Sequence, residues 1–466
     1  MLRVQPSLRP PLDPDFLPAS LWNRAYRDLV AADPGARRLA LALAHPDGTA
    51  SLHQSRVLAA DHPSAAANLR YVERLLKFLL WQKGGCRVQL AGADELAVHL
   101  ARIYSPAGER AFDHEFMGAK VYGRPLEIER ADFHGLPGES SATGVAIGRH
   151  LDGCRIGFDL GGSDRKSAAV IDGRVVFAEE VAWNPYFQAD PAYHLAGIHD
   201  TLQRAAAHLP RVDAIGGSAA GIYVGNEVRV ASLFRGVPTE LFEQHVRRMF
   251  FTLQERWGGV PFVVANDGEV TALAGSMALG DNAVLGISMG TSQAGGYVTP
   301  AGDITLWLNE LAFAPIDFRP DAPRDEWSGD RGCGVQYFSQ QGVARLAARA
   351  GWTFPDSMPA AERLAAVQQA MVSGDPRASA IYDSIGICLG YAVAHYADFY
   401  TLRHVLVLGR VMSGPGGRRI KERAADVLRT DFAPLAARIQ LHVPDERDRR
   451  HGQAIAAASL PVLAGS

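Results

Sequence analysis

The sequence predicts an α/β protein with a duplicated architecture, preceded by a smaller N-terminal α+β module. Three observations carry this reading. From Cys154 onward, glycine-punctuated apolar strands alternate with helical periodicity. Two strand–turn–strand units, one around Asp159 and one around Met289, stand about 130 positions apart, and each has a small-residue turn suited to a phosphate. Ahead of them, residues 38–104 read as a β-hairpin followed by a helix, a strand and a helix.

Taken in order, residues 1–37 hold Pro6, Pro10, Pro11, Pro14, Pro18 and Pro34, which predicts an extended arm with one short helix over 21–31. Leu39, Leu41 and Leu43 alternate with alanines, and Pro46-Asp47-Gly48 turns the chain into 51–58, so a hairpin is expected. Between Pro63 and Lys83, Leu69, Val72, Leu75, Leu76, Leu79 and Leu80 recur at helical spacing, and Gly84-Gly85 ends the helix. A strand over 86–90 and a helix over 93–104 complete the module, and the Gly-, Ser- and Thr-rich stretch 135–153 reads as a linker. Strands are then expected at 156–159, 167–171, 174–178, 284–288, 295–299 and 405–408. The helices expected are 192–208, 239–257, 269–279, 341–350, 359–372, 378–396, 417–428 and 448–463.

Composition narrows the function. Forty-seven Lys and Arg against 50 Asp and Glu leave a net charge of −3, so the basic excess that tracks a phosphate backbone is missing and nucleic acid is not expected as a partner. With 47% hydrophobic and 21% charged residues, and no charge-free apolar run near the roughly 20 residues of a membrane helix, no membrane partner is expected. The N-terminus lacks a secretory h-region, and the four scattered cysteines fit reduced thiols, so the expected location is the cytoplasm.

Three constellations carry chemistry. In Asp159-Leu160-Gly161-Gly162-Ser163-Asp164-Arg165-Lys166, glycines at a hairpin tip let backbone amides approach a phosphate. Asp159 at the strand end can hold Mg2+ through water, and Lys166 adds a positive charge; the alternative is a tight turn with solvated charges. Gly290, Thr291 and Ser292, in Gly286-Ile287-Ser288-Met289-Gly290-Thr291-Ser292, offer amides and hydroxyls for outer phosphates, or simply turn a hairpin. A third cluster, Gly409-Arg410-Val411-Met412-Ser413-Gly414-Pro415-Gly416-Gly417, follows a strand and opens a helix, where its backbone can pack against a purine and ribose. Neither a Walker P-loop nor a strand-borne GxGxxG is present. Finally, the apolar run from Phe262 delivers Asn266 and Asp267 to a strand's C-terminal edge, where open α/β sheets bind ligands. Asp267 there either accepts a hydroxyl proton during phosphoryl transfer or caps the following helix.

The order of these motifs, with Arg331-Gly332-Cys333, resembles the ROK family of sugar kinases and repressors, within the sugar kinase/Hsp70/actin superfamily, over about 154–463. The resemblance implies two actin-like (ribonuclease H-like) lobes with a central cleft and an ATP- and Mg2+-dependent phosphotransferase. It makes Asp267 the general base, Asn266 a substrate hydroxyl contact, Asp159 the Mg2+-side carboxylate and Gly290-Thr291 the phosphate turn. The implied division is an N-terminal extension 1–150, a first lobe 154–265 closed by a C-terminal helix 445–463, and a second lobe 266–444.

The departures from the family fall in the acceptor pocket. Its Glu-x-Gly-His motif stands here as Glu310-Leu311-Ala312-Phe313, and its next sugar-contacting glutamate falls on Val335, beside Gln336. Of its zinc motif only Cys333 remains, so zinc is not expected. The N-terminal residues also lack the winged helix-turn-helix of the family's repressors. The leading expectation is therefore a kinase of altered sugar or polyol specificity. A ligand sensor without turnover and a partner-coupled ATPase are the alternatives, and the oligomeric state, a homodimer included, stays open.

Overall fold

The computed structural model describes residue 2 and residues 4–138, 148–305, 307–444 and 452–463. The chain forms two compact units. One combines Met1–Ala142 with Ile287–Gly295 and Trp307–Val443; the other combines Thr143–Gly286 with Gly296–Leu306 and Pro444–Ser466. This division differs from the one expected at 265/266. The helix Asp267–Leu279 stays in the unit of the strand that leads into it, and the N-terminal residues share a unit with 307–443.

In the first unit, the expected hairpin forms as β1 (Arg37–Ala44) and β2 (Ala50–Val57), and β1 also pairs antiparallel with β3 (Arg87–Ala91). A fourth strand, β4 (Glu127–Arg130), which no alternation in the sequence announces, adds parallel to β3. The proline-rich arm forms no helix or strand before Pro18, turns twice, with Asp13 N–H on the Pro10 carbonyl and Phe16 N–H on the Asp13 carbonyl, and is fastened along its length. Leu12 N–H donates to Ser384 Oγ at 3.0 Å, Phe16 packs on Tyr337 at 5.4 Å, and buried Asp13 pairs with Arg319, Arg345 and Arg349. The helix Ala66–Lys83 keeps the predicted apolar face but buries far more of its surface, Glu73 and Lys77 included.

The second unit is built on β5 (Cys154–Leu160), β6 (Asp164–Ile171) and β7 (Arg174–Ala182), the antiparallel meander that the sequence predicts. Strand β8 (Ala214–Ala219) pairs parallel to β5, and a small hairpin, β9 (Ile222–Val224) and β10 (Glu227–Val230), follows it. Strand β11 (Phe262–Asn266) completes the sheet order β11-β8-β5-β6-β7. No sequence signal marked β8, because Ala-Ile-Gly-Gly-Ser-Ala has neither alternation nor a β-branched run. The expected helix 239–257 is broken: Arg247 N–H reaches back five residues to the Phe242 carbonyl, and a regular helix resumes only at Met249–Arg256. All seven residues of β5 are buried, as for a strand covered on both faces.

The described part of the C-terminal helix is Gly452–Ala458; residues 445–451, where the sequence places its start, lie outside the described residues. It seats on two glycines. A Cβ on Gly157 of β5 would collide with the Ala454 carbonyl, and one on Gly216 of β8 with the Ala457 carbonyl. Gly157→Ala is therefore expected to destabilise the protein by about 1–3 kcal/mol through overpacking. The readout is a lower urea midpoint at unchanged m-value; an unchanged midpoint would contradict this seating.

The remaining strands are β12 (Val284–Met289) and β13 (Gln293–Val298), the second predicted strand–turn–strand unit, and β14 (His404–Leu408) and β15 (Gln440–His442). They form a sheet of order β13-β12-β14-β15, in which β14 and β15 are parallel.

Candidate active site

Parallel pairing fixes the first group of residues. Asp159 of β5 lies opposite Ser218 of β8, and Ala219 of β8 lies opposite Asn266 of β11, so the three strands end together. Asp159 and the Asn266-Asp267 pair therefore emerge at one C-terminal sheet edge. Ser218 Oγ donates to Asp159 Oδ1 at 2.7 Å, and Lys166, opposite Asp159 in the antiparallel register, places its Nζ 3.7 Å from Oδ2. Lys166 lies nearer to Asp164, at 2.8 Å, so its charge is shared between two carboxylates.

The helix cap resolves one alternative. Asn266 caps the helix Asp267–Leu279: its Oδ1 accepts from Gly268 N–H at 2.7 Å while its Nδ2 donates to the Gly221 carbonyl at 2.6 Å. Asp267 is the first helical residue, with one further contact to Gly268 N–H at 3.0 Å. Burial, then repulsion from Asp159, push its carboxyl up to about 6. Burial also raises Asp159, against the hydrogen bond from Ser218 and the charge of Lys166. A buried carboxylate at Asp159 that repels Asp267 and shares Lys166 with Asp164 suits a divalent cation held by a single protein carboxylate and substrate phosphates, the usual habit of Mg2+. Among the described residues, no group of three acidic, His or Cys side chains could hold a metal by itself.

The turn after Asp159 is tightly pinned. Gly161 N–H donates to the Asp164 carbonyl at 2.9 Å, Trp183 Nε1 donates to the Gly161 carbonyl at 2.7 Å, and Ser163 Oγ donates to Asp164 at 2.8 Å. Gly162 lies under Tyr186, whose hydroxyl occupies the space a Cβ would need.

A second group of residues meets in the other unit. Gly290 N–H closes its turn onto the Ser292 carbonyl at 2.9 Å, and Gln340 N–H donates to the Gly290 carbonyl at 2.9 Å. Thr291 and Ser292 are exposed, and a Cβ on Gly290 would meet almost nothing. The third glycine cluster packs directly on this turn: Gly409, at φ +97°, leaves no room for a Cβ against the Met289 backbone. Arg410 is exposed and its carbonyl accepts from Gln368 at 2.7 Å. Gly414 opens the helix Gly414–Asp431 facing open space, whereas Gly416 abuts Tyr382 and Gly417 the Met412 carbonyl. Structure thus joins two clusters far apart in sequence into one surface of amides and small residues.

The residues expected near the acceptor, Glu310, Phe313 and Val335, sit against the N-terminal residues or are buried beside them. Asn309 and Glu310 donate their backbone N–H groups to the Gln82 and Trp81 carbonyls at 2.9 and 3.0 Å, at the end of the helix Ala66–Lys83. Phe313 is buried among Trp81, Phe112 and Trp327, with ring centroids at 4.4, 6.1 and 5.2 Å. Val335 is buried too, its carbonyl accepting from Ser339 Oγ at 2.6 Å. Cys333 directs its thiol to Asp330 at 3.4 Å. Sequence reasoning missed Ser218, Tyr186 and Trp81. It also missed Tyr223, whose phenol is raised by burial and the Asp267 charge. The one available signal was the glycine- and alanine-rich run Gly216-Gly217-Ser218-Ala219-Ala220-Gly221.

No family model matches the sequence, and no curated protein matches it. Solved structures give the fold. A ROK hexokinase from Thermus thermophilus is similar over 66% of this chain and 97% of its own, with a TM-score of 0.52 at 19% identity. A candidate N-acetylmannosamine kinase from Listeria monocytogenes is similar over the same shares, with a TM-score of 0.50 at 12% identity. The class that emerges is the mixed α/β, actin-like fold. In particular, about two-thirds of the chain has the fold of the ROK hexokinase.

Proposed function

We propose that this chain is a ROK-type carbohydrate kinase, moving the γ-phosphate of ATP to a hydroxyl of a sugar or sugar-like molecule. The observation that supports it most is Asp267: a half-buried carboxylate at the strand edge, released from capping by Asn266 and raised to about 6, close to the value wanted of a base at neutral pH. In this reading Asp267 takes the hydroxyl proton, Asn266 and Glu310 orient the acceptor, and Gly290-Thr291 with 409–417 holds the nucleotide. Bound Mg2+ would neutralise phosphate charge, with Asp159 on its side through water. No helix among the described residues is long and apolar enough to cross a membrane, and four buried free cysteines support a reducing, cytoplasmic setting.

The deciding experiment is an ADP-release screen over aldoses, ketoses, amino sugars and polyols. Sugar-dependent release supports the kinase; nucleotide binding without release under any acceptor supports a sensor, a reading that the burial of Phe313 in aromatic packing favours. Glucose is expected to be a poor acceptor. A hydroxyl pressed on Phe313 or Val335 would lose water without a partner, at about 1–3 kcal/mol each. A kcat/KM for glucose on the order of 10⁴ M⁻¹s⁻¹ or better would refute this.

Acidity provides a further check. The base must be ionised, and its carboxyl is raised to about 6, so kcat/KM is expected to be flat above neutrality and to fall tenfold per pH unit below about 6. A profile that stays flat to pH 4.5 would assign the proton to another group.

A further inference from the structure

A cavity of about 490 Å³ in the first unit is lined by arginines from two distant stretches: Arg70, Arg74 and Arg110 from the N-terminal extension, and Arg319, Arg324 and Arg331. Neither Asp159, Asp267 nor any residue of the glycine turns lines it. Three of the six are committed. Arg74 pairs with Glu73 at 2.7 Å and Asp330 at 3.4 Å, Arg110 with Glu73 at 2.7 Å, and Arg319 with Asp317 at 2.8 Å and Asp13 at 2.9 Å.

The other three are not. Among the described residues, no carboxylate lies within ion-pair distance of Arg70, Arg324 or Arg331. Arg70 lies over the Trp22 ring at 5.5 Å, Arg324 donates Nε–H to the Gly329 carbonyl at 2.9 Å, and Arg331 donates Nη1–H to the Ala322 carbonyl at 3.1 Å. Each contact engages one edge or face of a guanidinium that carries five N–H donors. Against six arginines the cavity wall supplies four carboxylates, an excess of two positive charges. Burial and the like charge of Arg74 push the Arg70 guanidinium down, against Glu73 and Asp317.

We propose that this cavity binds a small phosphate ester, with Arg70, Arg324 and Arg331 as its recognition groups. A phosphate monoester carries about −1.5 to −2 charges at pH 7, which matches the excess. Its oxygens accept the paired N–H forks of arginine better than they accept a point charge. The volume falls in the range of small-molecule sites, about 300–1,000 Å³, and accommodates a hexose phosphate. Because its walls come from the helix Ala66–Lys83 and from residues 319–331, the bound ester ties the N-terminal extension to the loop that leads into Cys333 and Val335.

Isothermal titration of the full chain with glucose 6-phosphate, at fixed ionic strength, tests this. Saturable binding is expected, and Arg70→Ala with Arg331→Ala should weaken it about tenfold or more, while Asp267→Asn leaves it unchanged. Both arginines lack a carboxylate partner, so the double variant should fold; Arg324→Ala, exposed, should weaken binding in the same sense. Unchanged affinity in these variants would place the ester elsewhere and overturn the proposal, as would an absence of saturable binding. Citrate binding as tightly as glucose 6-phosphate would overturn the phosphate assignment in favour of a polycarboxylate.

Discussion

Asp267→Asn is expected to lower kcat by about 10² to 10⁴ while nucleotide binding survives. The amide keeps the carboxylate's shape and can still accept from Gly268 N–H, the 3.0 Å contact that Asp267 makes. It cannot take a proton. The helix start should not suffer, because the cap is Asn266, whose side chain bridges Gly268 N–H and the Gly221 carbonyl. Repulsion on Asp159 also falls, so nucleotide with Mg2+ should bind at least as well, which a titration of the inactive variant would read. Turnover within a few-fold of the parent would make Asp267 an ordinary first-turn residue and end the general-base mechanism. A variant lacking both turnover and nucleotide binding would point to disturbed structure at the sheet edge.

Lys77→Met is expected to destabilise the first unit by about 3–5 kcal/mol. The ammonium is fully buried, and its three donors reach Asp113 Oδ1 at 2.7 Å, Asp113 Oδ2 at 2.9 Å and Asp330 Oδ2 at 3.1 Å. Trp81 Nε1 adds a bond to Asp113 at 2.6 Å, and Arg110 adds one to Asp330. Burial works against ionised Asp330, yet Lys77 and Arg74 hold its carboxyl below the usual range; burial raises Asp113 in spite of Lys77. Methionine conserves the packing and leaves both carboxylates without their common counter-charge. Calorimetry should show the loss, and a melting temperature unchanged within a degree would mean that the network contributes little. Cys333 joins the network through Asp330, whose counter-charges, Lys77 and Arg110, come from the N-terminal residues.

Much of this protein was legible as spacing. The alternation in β1, the glycine stops, the paired strand–turn–strand units and the emergence of Asn266-Asp267 at a strand end are local properties, set by backbone period and turn chemistry within ten residues or so. The order of the motifs along the chain was likewise enough to anticipate the fold that the Thermus hexokinase shares.

What the sequence could not decide was which groups find each other. Strand β8 exists because parallel pairing with β5 and β11 stabilises a run of small residues that has no strand preference of its own. That Trp81 and Phe112, some 200 positions away, pack on Phe313 is nowhere visible in the spacing around it. In the helix Ala66–Lys83, Glu73, Arg74 and Lys77 stand between the apolar positions, yet they are largely buried. A charge belongs in the interior only when its partner is already there, and those partners, Arg110, Asp113 and Asp330, are brought by tertiary structure alone.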